Sequence, residues 1–265
     1  MIKAGLSSWA FAWNIGVSGY QKPSTLMTLE MLIQKAVELK ADVLQIADNI
    51  NYTHIEFTSA VKTAEKHNLE IELGTKGTSN LEKIIELAYQ NNIKLIRTLP
   101  HNDHDIPTIN ELTKRLGSAS KILEKYGIKL ALENHDHYQA AHLLEAVKNA
   151  DSPYIGICYD PANNYGQGEG YLKCAQILAP YVINVHYKDF IIKRMPHMMG
   201  FTIEGVPAGS GLIEYEKLKA LFNHNLSWIV ELWTPWQGSI SKTATLEMDF
   251  ALQSINFLKS RQKGI

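Results

Sequence analysis

The sequence predicts an α/β protein, a single-domain (β/α)8 TIM barrel spanning residues 1–265. Three observations support this. Short apolar runs alternate strictly with longer amphipathic segments, the pattern of βα units on a parallel sheet. The alternation occurs eight times with no linker-like stretch between units, which matches the strand count of a closed barrel. The first strand-to-helix turn, Gly5-Leu6-Ser7-Ser8-Trp9, lacks the glycine-rich phosphate loop that an open doubly wound sheet carries there.

Each unit has its own signal. Ile2 to Ser7 is the first strand, followed by a loop crowded with Trp9, Phe11, Trp13 and Tyr20 and punctuated by Gly16 and Gly19. Pro23-Ser24 opens the first helix, whose Leu26, Leu29, Leu32, Ile33, Ala36 and Val37 recur at spacings of three and four. Strand two runs from Asp42 to Ala47 and helix two from Thr53 to His67. Strand three is Leu69 to Leu73, and helix three, Asn80 to Gln90, turns Leu81, Ile84, Ile85, Leu87 and Ala88 inward. Ile93 to Leu99 is strand four, with a histidine-rich loop after it. Helix four, Ile109 to Tyr126, is closed by Gly127. Strand five (Ile128 to Glu133), helix five (Ala140 to Asn149), strand six (Tyr154 to Tyr159) and helix six (Tyr171 to Leu178) follow. Strand seven is Val182 to Tyr187, helix seven Ile213 to Phe222, strand eight Trp228 to Leu232, and Thr243 to Leu258 the closing helix. The span from Phe190 to Gly211 is the largest insertion, a lid over a pocket or a subunit contact.

Composition narrows the function classes. Hydrophobic residues make up 45% and charged residues 20% of the chain, enough apolar material for a full core. A formal net charge of -1 gives no reason to expect a nucleic acid or another polyanion as partner. Two cysteines, Cys158 and Cys174, are too few for a disulfide framework and fit a reducing compartment. The N-terminal residues lack an uninterrupted apolar run of signal-peptide type, and no stretch approaches the ~20 apolar residues of a spanning helix. A cytoplasmic protein with no membrane partner is expected. A homo-oligomer is compatible with the long insertion and the aromatic loops.

Four strand ends share one feature. Leu130-Ala131-Leu132 ends in Glu133, Ile155 to Tyr159 in Asp160, Val182 to Val185 in His186, and Trp228-Ile229-Val230 in Glu231. Strands five to eight are neighbours in a barrel, and their C-terminal ends face one pocket. Taken singly, each residue has a plainer reading: a carboxylate at a strand end caps a helix or joins a salt bridge, Asp160 before Pro161 above all, and a lone His186 is a hydrogen-bonded core residue. Taken together, three carboxylates and an imidazole form a hard ligand set for one divalent cation, Mn²⁺, Mg²⁺, Co²⁺ or Zn²⁺. The cation would also relieve the mutual repulsion of the carboxylates.

Such a centre can act as a Lewis acid on a carbonyl and a neighbouring hydroxyl oxygen and make the adjacent C–H removable. Two carboxylates on opposite sides of the substrate can take a proton from one face and return one to the other. Return to the same carbon epimerises, return to the next carbon isomerises, and loss of a β-hydroxyl dehydrates.

The residues carrying this chemistry resemble a known family. Ala131-Leu132-Glu133-Asn134, Tyr159-Asp160-Pro161-Ala162-Asn163, Val185-His186-Tyr187-Lys188-Asp189, Gly209-Ser210-Gly211-Leu212-Ile213-Glu214-Tyr215 and Ile229-Val230-Glu231-Leu232-Trp233 resemble successive signatures of the xylose isomerase-like sugar isomerase/epimerase superfamily. The resemblance implies a metal bound by Glu133, Asp160, His186 and Glu231. In the ketose 3-epimerase branch it further implies Glu133 and Glu231 as the acid/base pair. Where those epimerases carry a substrate-binding glutamate, histidine and arginine, this chain has Gln139, Asn163 and Ile192. The metal ligands persist while the substrate side departs.

The expected activity is therefore a metal-dependent isomerase or epimerase of a keto sugar or sugar derivative. A dehydratase of inosose or dehydroshikimate type and a non-catalytic sugar-binding barrel are the alternatives. A nuclease of the endonuclease IV kind is disfavoured, because strands two and three end without histidine at Ala47-Asp48 and Gly74-Thr75. Lys188, Asn163, Gln139, Trp9, Trp13 and Trp233 are the candidate contacts for a carbohydrate. Lys188 either binds a substrate oxygen or forms a wall salt bridge with Asp189. Gly209-Ser210-Gly211 offers backbone N–H groups for an anion or is a plain turn. His54 and His101 lie on βα loops and are either substrate contacts or ordinary surface histidines, while His135 and His137, which follow Glu133, crowd the metal or support its ligands, and neither of these two is expected to be a ligand.

Overall fold

The computed structural model describes residues 2–222 and 225–262, so the outermost residues of the expected domain, at both termini, lie outside the described residues. Eight parallel strands close a barrel: β1 (Lys3–Ser7), β2 (Val43–Ile46), β3 (Glu70–Lys76), β4 (Leu95–Leu99), β5 (Lys129–Glu133), β6 (Ile155–Tyr159), β7 (Val182–Tyr187) and β10 (Ser227–Val230). Pairing of Lys3 with Ser227 through Leu6 with Val230 seals β1 to β10. The helices are α1 (Ala12–Ile15), α2 (Leu29–Glu38), α3 (His54–Lys66), α4 (Leu81–Gln90), α5 (Ile109–Tyr126), α6 (Ala140–Ala150), α7 (Tyr171–Leu178), α8 (Tyr215–Leu221) and α9 (Ile240–Ser260). None of the described helices is long and apolar enough to cross a membrane.

Local chemistry sets the boundaries. Capping boxes start α3 (Thr53 with Glu56) and α5 (Thr108 with Glu111), satisfying the free N–H groups of the first turn. Gly127 ends α5 at φ +64°, the left-handed conformation glycine adopts cheaply. The first long helix begins at Leu29 rather than at Pro23-Ser24. Thr28 accepts from Met31 N and caps it, while Met27 N is tied to Asn14 O at 2.9 Å. Leu26 is thereby left outside the helix and 42% exposed.

The Phe190–Gly211 insertion contains an antiparallel hairpin, β8 (Phe190–Arg194) with β9 (Phe201–Gly205), paired from Phe190–Gly205 to Arg194–Phe201. It is fastened to the chain beyond β10 at Gly205, where an added Cβ would stand 2.3 Å from the Trp233 carbonyl oxygen.

Apolar side chains fill the layer between barrel and helices, including Leu44, Ile46, Leu73, Ile96, Leu130 and Ile157. Inside the barrel the buried residues turn polar: Gln45, Glu72, Arg97, Glu133, Asn184, His186, Ser227 and Glu231. Buried polar groups of this density have to be paired, and their pairing builds the site.

Candidate metal centre and its cavity

Glu133 ends β5, Asp160 follows β6, His186 is the penultimate residue of β7, and Glu231 follows β10. These strands are consecutive around the wall. Each of the four residues offers one ligand atom, and those atoms all lie within 4.8 Å of one another with every residue buried. His186 Nδ1 is 3.4 Å from both Glu133 Oε2 and Glu231 Oε1. On its other side the ring meets Gln45 Oε1, 2.8 Å from Nε2. A carbonyl oxygen only accepts, so Nε2 carries a hydrogen, and once the ring is neutral Nδ1 is the nitrogen that offers a lone pair.

Two cations stand among the carboxylates. Arg97 on β4 pairs through Nε with Glu133 Oε2, and its Nη2 lies 3.9 Å from Glu231 Oε1. Lys188 Nζ lies 2.9 Å from Asp160 Oδ2 and 3.0 Å from Glu231 Oε2. Burial raises the Glu133 pKa, but Arg97 and His186 outweigh it and hold the group well below the usual carboxylate range. Glu231 is lowered too, with burial overcome by His186 and Lys188. The Asp160 carboxyl is raised, because burial and the neighbouring Glu133 exceed the help from Lys188. Burial pulls the Lys188 pKa down, yet Asp160 and Glu231 raise it well above its ordinary value. Three carboxylates thus share two cations, and Asp160 is the one left short.

One buried atom here, His186 Nδ1, has no hydrogen-bond partner, and Asp160 Oδ2 meets only the Lys188 ammonium, at 2.9 Å. Unpaired buried polar atoms are rare. The donor set, the spacing of its ligand atoms and these under-satisfied atoms fit a hard divalent cation.

A cavity of about 260 Å³ opens over the cluster, with Trp9, Arg97, His101, Lys188, Glu231 and Trp233 in its wall and Lys76, Asp48 and Asp103 at its edge. Lys188 Nζ also sits 5.1 Å from the Trp233 ring centroid, a cation over an aromatic face. A second cavity of about 370 Å³ adjoins it, bordered by Asn163, Lys188, Trp233 and Ile203 of the hairpin.

The remaining expected contacts fall in different places. Trp9, Lys188 and Trp233 line the first cavity. Asn163 is buried against the cluster, where its Nδ2 donates to Glu133 Oε1 at 2.7 Å. Trp13 is outside the wall: its Nε1 donates to Thr234 O at 2.8 Å, and its ring packs on Tyr20 and Trp236. Gln139 is exposed at the start of α6 and lines neither cavity. Asp136 at φ +37° turns the chain outward before it, and Tyr138 anchors the turn by donating to Pro107 O at 2.7 Å.

Two further readings change. Lys188 does not pair with Asp189, whose carboxylate instead accepts from the backbone N–H groups of Phe190, Gly209, Gly211 and Ile213. The N–H groups of Gly209 and Gly211 are therefore consumed inside the fold rather than offered to an anion. Among the loop histidines, His101 and His135 line the cavity with ring nitrogens 3.2 Å apart, while His54 starts α3 at the exposed surface. Arg97 and Gln45 escaped the sequence reading. Their signal was a polar residue interrupting an apolar strand.

Known proteins share this fold. A family profile described as xylose isomerase-like TIM barrel matches residues 33–260. The chain is 32% identical to the 3-oxo-isoapionate decarboxylase of Pectobacterium atrosepticum, over 97% of this chain and 95% of that one. Among solved structures, D-psicose 3-epimerase from Clostridium cellulolyticum H10 superposes with a TM-score of 0.71 at 14% identity, covering 98% of this chain and 99% of the other. A zinc-bound IolI protein superposes with a TM-score of 0.69 at 16% identity over 100% of both chains.

Proposed function

The chain belongs to the xylose isomerase-like TIM-barrel family, and on that premise we propose that it is a divalent-metal-dependent decarboxylase of a 3-oxo sugar acid. One observation carries the reading: two buried cations, Arg97 and Lys188, stand among the ligand carboxylates. Three carboxylates alone would leave a bound dication with net negative charge, hostile to an acidic substrate. With Arg97 and Lys188 included, the same centre carries one net positive charge. That balance suits a carboxylate-bearing ketone and the anion formed when it loses CO₂. The 32% identity to 3-oxo-isoapionate decarboxylase along nearly the whole chain supports the same class.

Glu133, Asp160, His186 and Glu231 would hold the cation, which supplies Lewis-acid polarisation of the substrate's ketone and hydroxyl oxygens. In a 3-oxo acid the bond from the carboxylate carbon to C2 breaks, and its electron pair passes into a C2–C3 enolate as CO₂ departs. Lys188 and Arg97 oppose that developing negative charge from fixed, desolvated positions. Trp9 and Trp233 provide apolar walls that exclude water. A proton must then reach C2. Glu133, clamped by Arg97 and Asn163, is held firmly ionised and is the poorer carrier. Glu231 is better placed: Ser7 Oγ donates to one oxygen at 3.0 Å, and Lys188 Nζ lies 3.0 Å from the other and can return a proton to it. Its two buried free cysteines suit a reducing, cytoplasmic setting.

The test is incubation of the Mn²⁺-loaded protein with 3-oxo sugar acids in D₂O. CO₂ release with one deuterium placed on the carbon that was C2 of the acid and becomes C1 of the ketose product is expected. Exchange and epimerisation of neutral ketoses without CO₂ release would replace this reading by the epimerase one, and water loss from an inosose by the dehydratase one.

A further inference from the structure

Beneath the four strand-end residues lies a closed polar layer that the chemistry above does not use. Gln45 on β2, Glu72 on β3, Asn184 on β7 and Ser227 on β10 all point into the barrel and are buried. Glu72 is the acceptor on which the layer converges. Its Oε2 takes Gln45 Nε2 at 3.0 Å and Asn184 Nδ2 at 3.1 Å, and its Oε1 takes the Ser227 hydroxyl. Asn184 Oδ1 also accepts from Gln45 Nε2 at 3.4 Å. Both acceptors near Gln45 thus face its NH₂ group. The amide has one orientation that satisfies them, with Oε1 turned toward His186 Nε2.

We infer that Glu72 and Gln45 are positioning residues for the cation: Glu72 orients the Gln45 amide, and Gln45 fixes His186 in the Nε2–H form with Nδ1 free to ligate. Reversing the amide would place an NH₂ against the His186 Nε2–H and an oxygen against the Glu72 carboxylate, leaving buried groups unpaired. The device spans the barrel, since β2 and β3 lie opposite β7 in the strand order. A strand-end histidine alone can offer either nitrogen. This layer selects one. The inference rests on the proposed metal centre but not on the identity of the reaction.

Zinc affinity of the full chain, measured without substrate by competition with a chromophoric chelator, tests it. Gln45→Met and Glu72→Met should each remain folded by circular dichroism yet bind Zn²⁺ ~10- to 100-fold more weakly, and the visible spectrum of the Co²⁺ form should change. Glu72→Gln should stay within about threefold of the parent, because its amide oxygen can take over the Oε2 contacts while Ser227 rotates to accept from its NH₂. Parental affinity and an unchanged Co²⁺ spectrum in folded Gln45→Met overturn the inference. Equal losses in Glu72→Gln and Glu72→Met also overturn it, since charge rather than orientation would then be the cause. Should Glu72→Met fail to fold, Gln45→Met decides alone. A parent that binds metal but releases no CO₂ would remove the proposed reaction and leave this inference standing.

Discussion

Lys188 Nζ is 2.9 Å from Asp160 Oδ2, a buried oxygen with no other partner among the described residues. The ammonium and a cation in the cluster would therefore compete for the same oxygen while serving different ends. Replacing Lys188 with Met removes a positive charge from beside Asp160 and Glu231. Metal affinity should rise a few-fold, because less positive charge opposes the dication. Turnover should fall ~10²- to 10³-fold, the usual loss when one preorganised charge partner is removed from a developing anion. Titration of Mn²⁺ and steady-state kinetics on the same variant check both signs. A parallel fall in affinity would assign Lys188 to structure alone.

Chelation should both inactivate and destabilise the protein. A ligand bound only by the folded state at ~100 times its Kd contributes about 2.7 kcal/mol. For a chain of this size that corresponds to a Tm loss of about 5 to 10 °C. Thermal melts before and after chelator treatment, with Mn²⁺ added back, measure it. An unchanged Tm would mean that the four residues hold no cation.

Glu231→Gln keeps the shape and the Ser7 contact but cannot carry a proton. It should fold normally and lose ~10²- to 10⁴-fold in product formation. Deuterium incorporation at the substrate carbon should fall in step. Normal incorporation would transfer the proton-carrying role to another group, with Lys188 the nearest at 3.0 Å.

The strand ends were legible in the sequence because an apolar run that stops at a ligand-type residue is a one-dimensional signal. Glu133, Asp160, His186 and Glu231 each show it, and barrel order alone brings them to one face. Arg97 and Gln45 lie in mid-strand, and their partners are distant in sequence. Arg97 reaches Glu133 only after β4 pairs with β5, and Gln45 reaches His186 across 141 positions of chain. The same limit explains Gly209 and Gly211, whose N–H groups could not be known to be taken until the fold delivered Asp189 to them. Spacing alone also could not show that Asp136 turns Gln139 away from the pocket.

Glu247 on α9 holds the first βα loop to the closing helix. Its carboxylate accepts from Trp13 N at 2.9 Å, Asn14 N at 3.0 Å and Asn14 Nδ2 at 2.8 Å. Glu247→Leu leaves these donors unpaired near the protein interior and should cost about 3 kcal/mol, a Tm decrease of about 6 to 12 °C. Because the loop also carries Trp9 of the cavity wall, KM should rise more than kcat falls. A variant with parental Tm would show that the loop is held by its aromatic packing instead.

Metal binding should strengthen with pH, and the direction follows from His186. Burial lowers its pKa, but Glu231 and Glu133 outweigh burial and raise it above the ordinary value near 6.5. In the metal-free chain that raised value contributes stability fully present below about pH 6.5 and lost as pH rises through the folded pKa. Ligation needs the unprotonated ring, so protons compete with the cation, roughly tenfold per pH unit below the folded pKa. The raised Asp160 carboxyl adds competition of the same sign. The Tm difference between Mn²⁺-loaded and metal-free protein should therefore widen from pH 6 to pH 8, and level off once the pH exceeds the folded His186 pKa. Paired melts at fixed Mn²⁺ across that range measure the difference. A gap that stays constant or narrows with rising pH would exclude His186 as a ligand, because no proton would then have to leave it for the cation to bind.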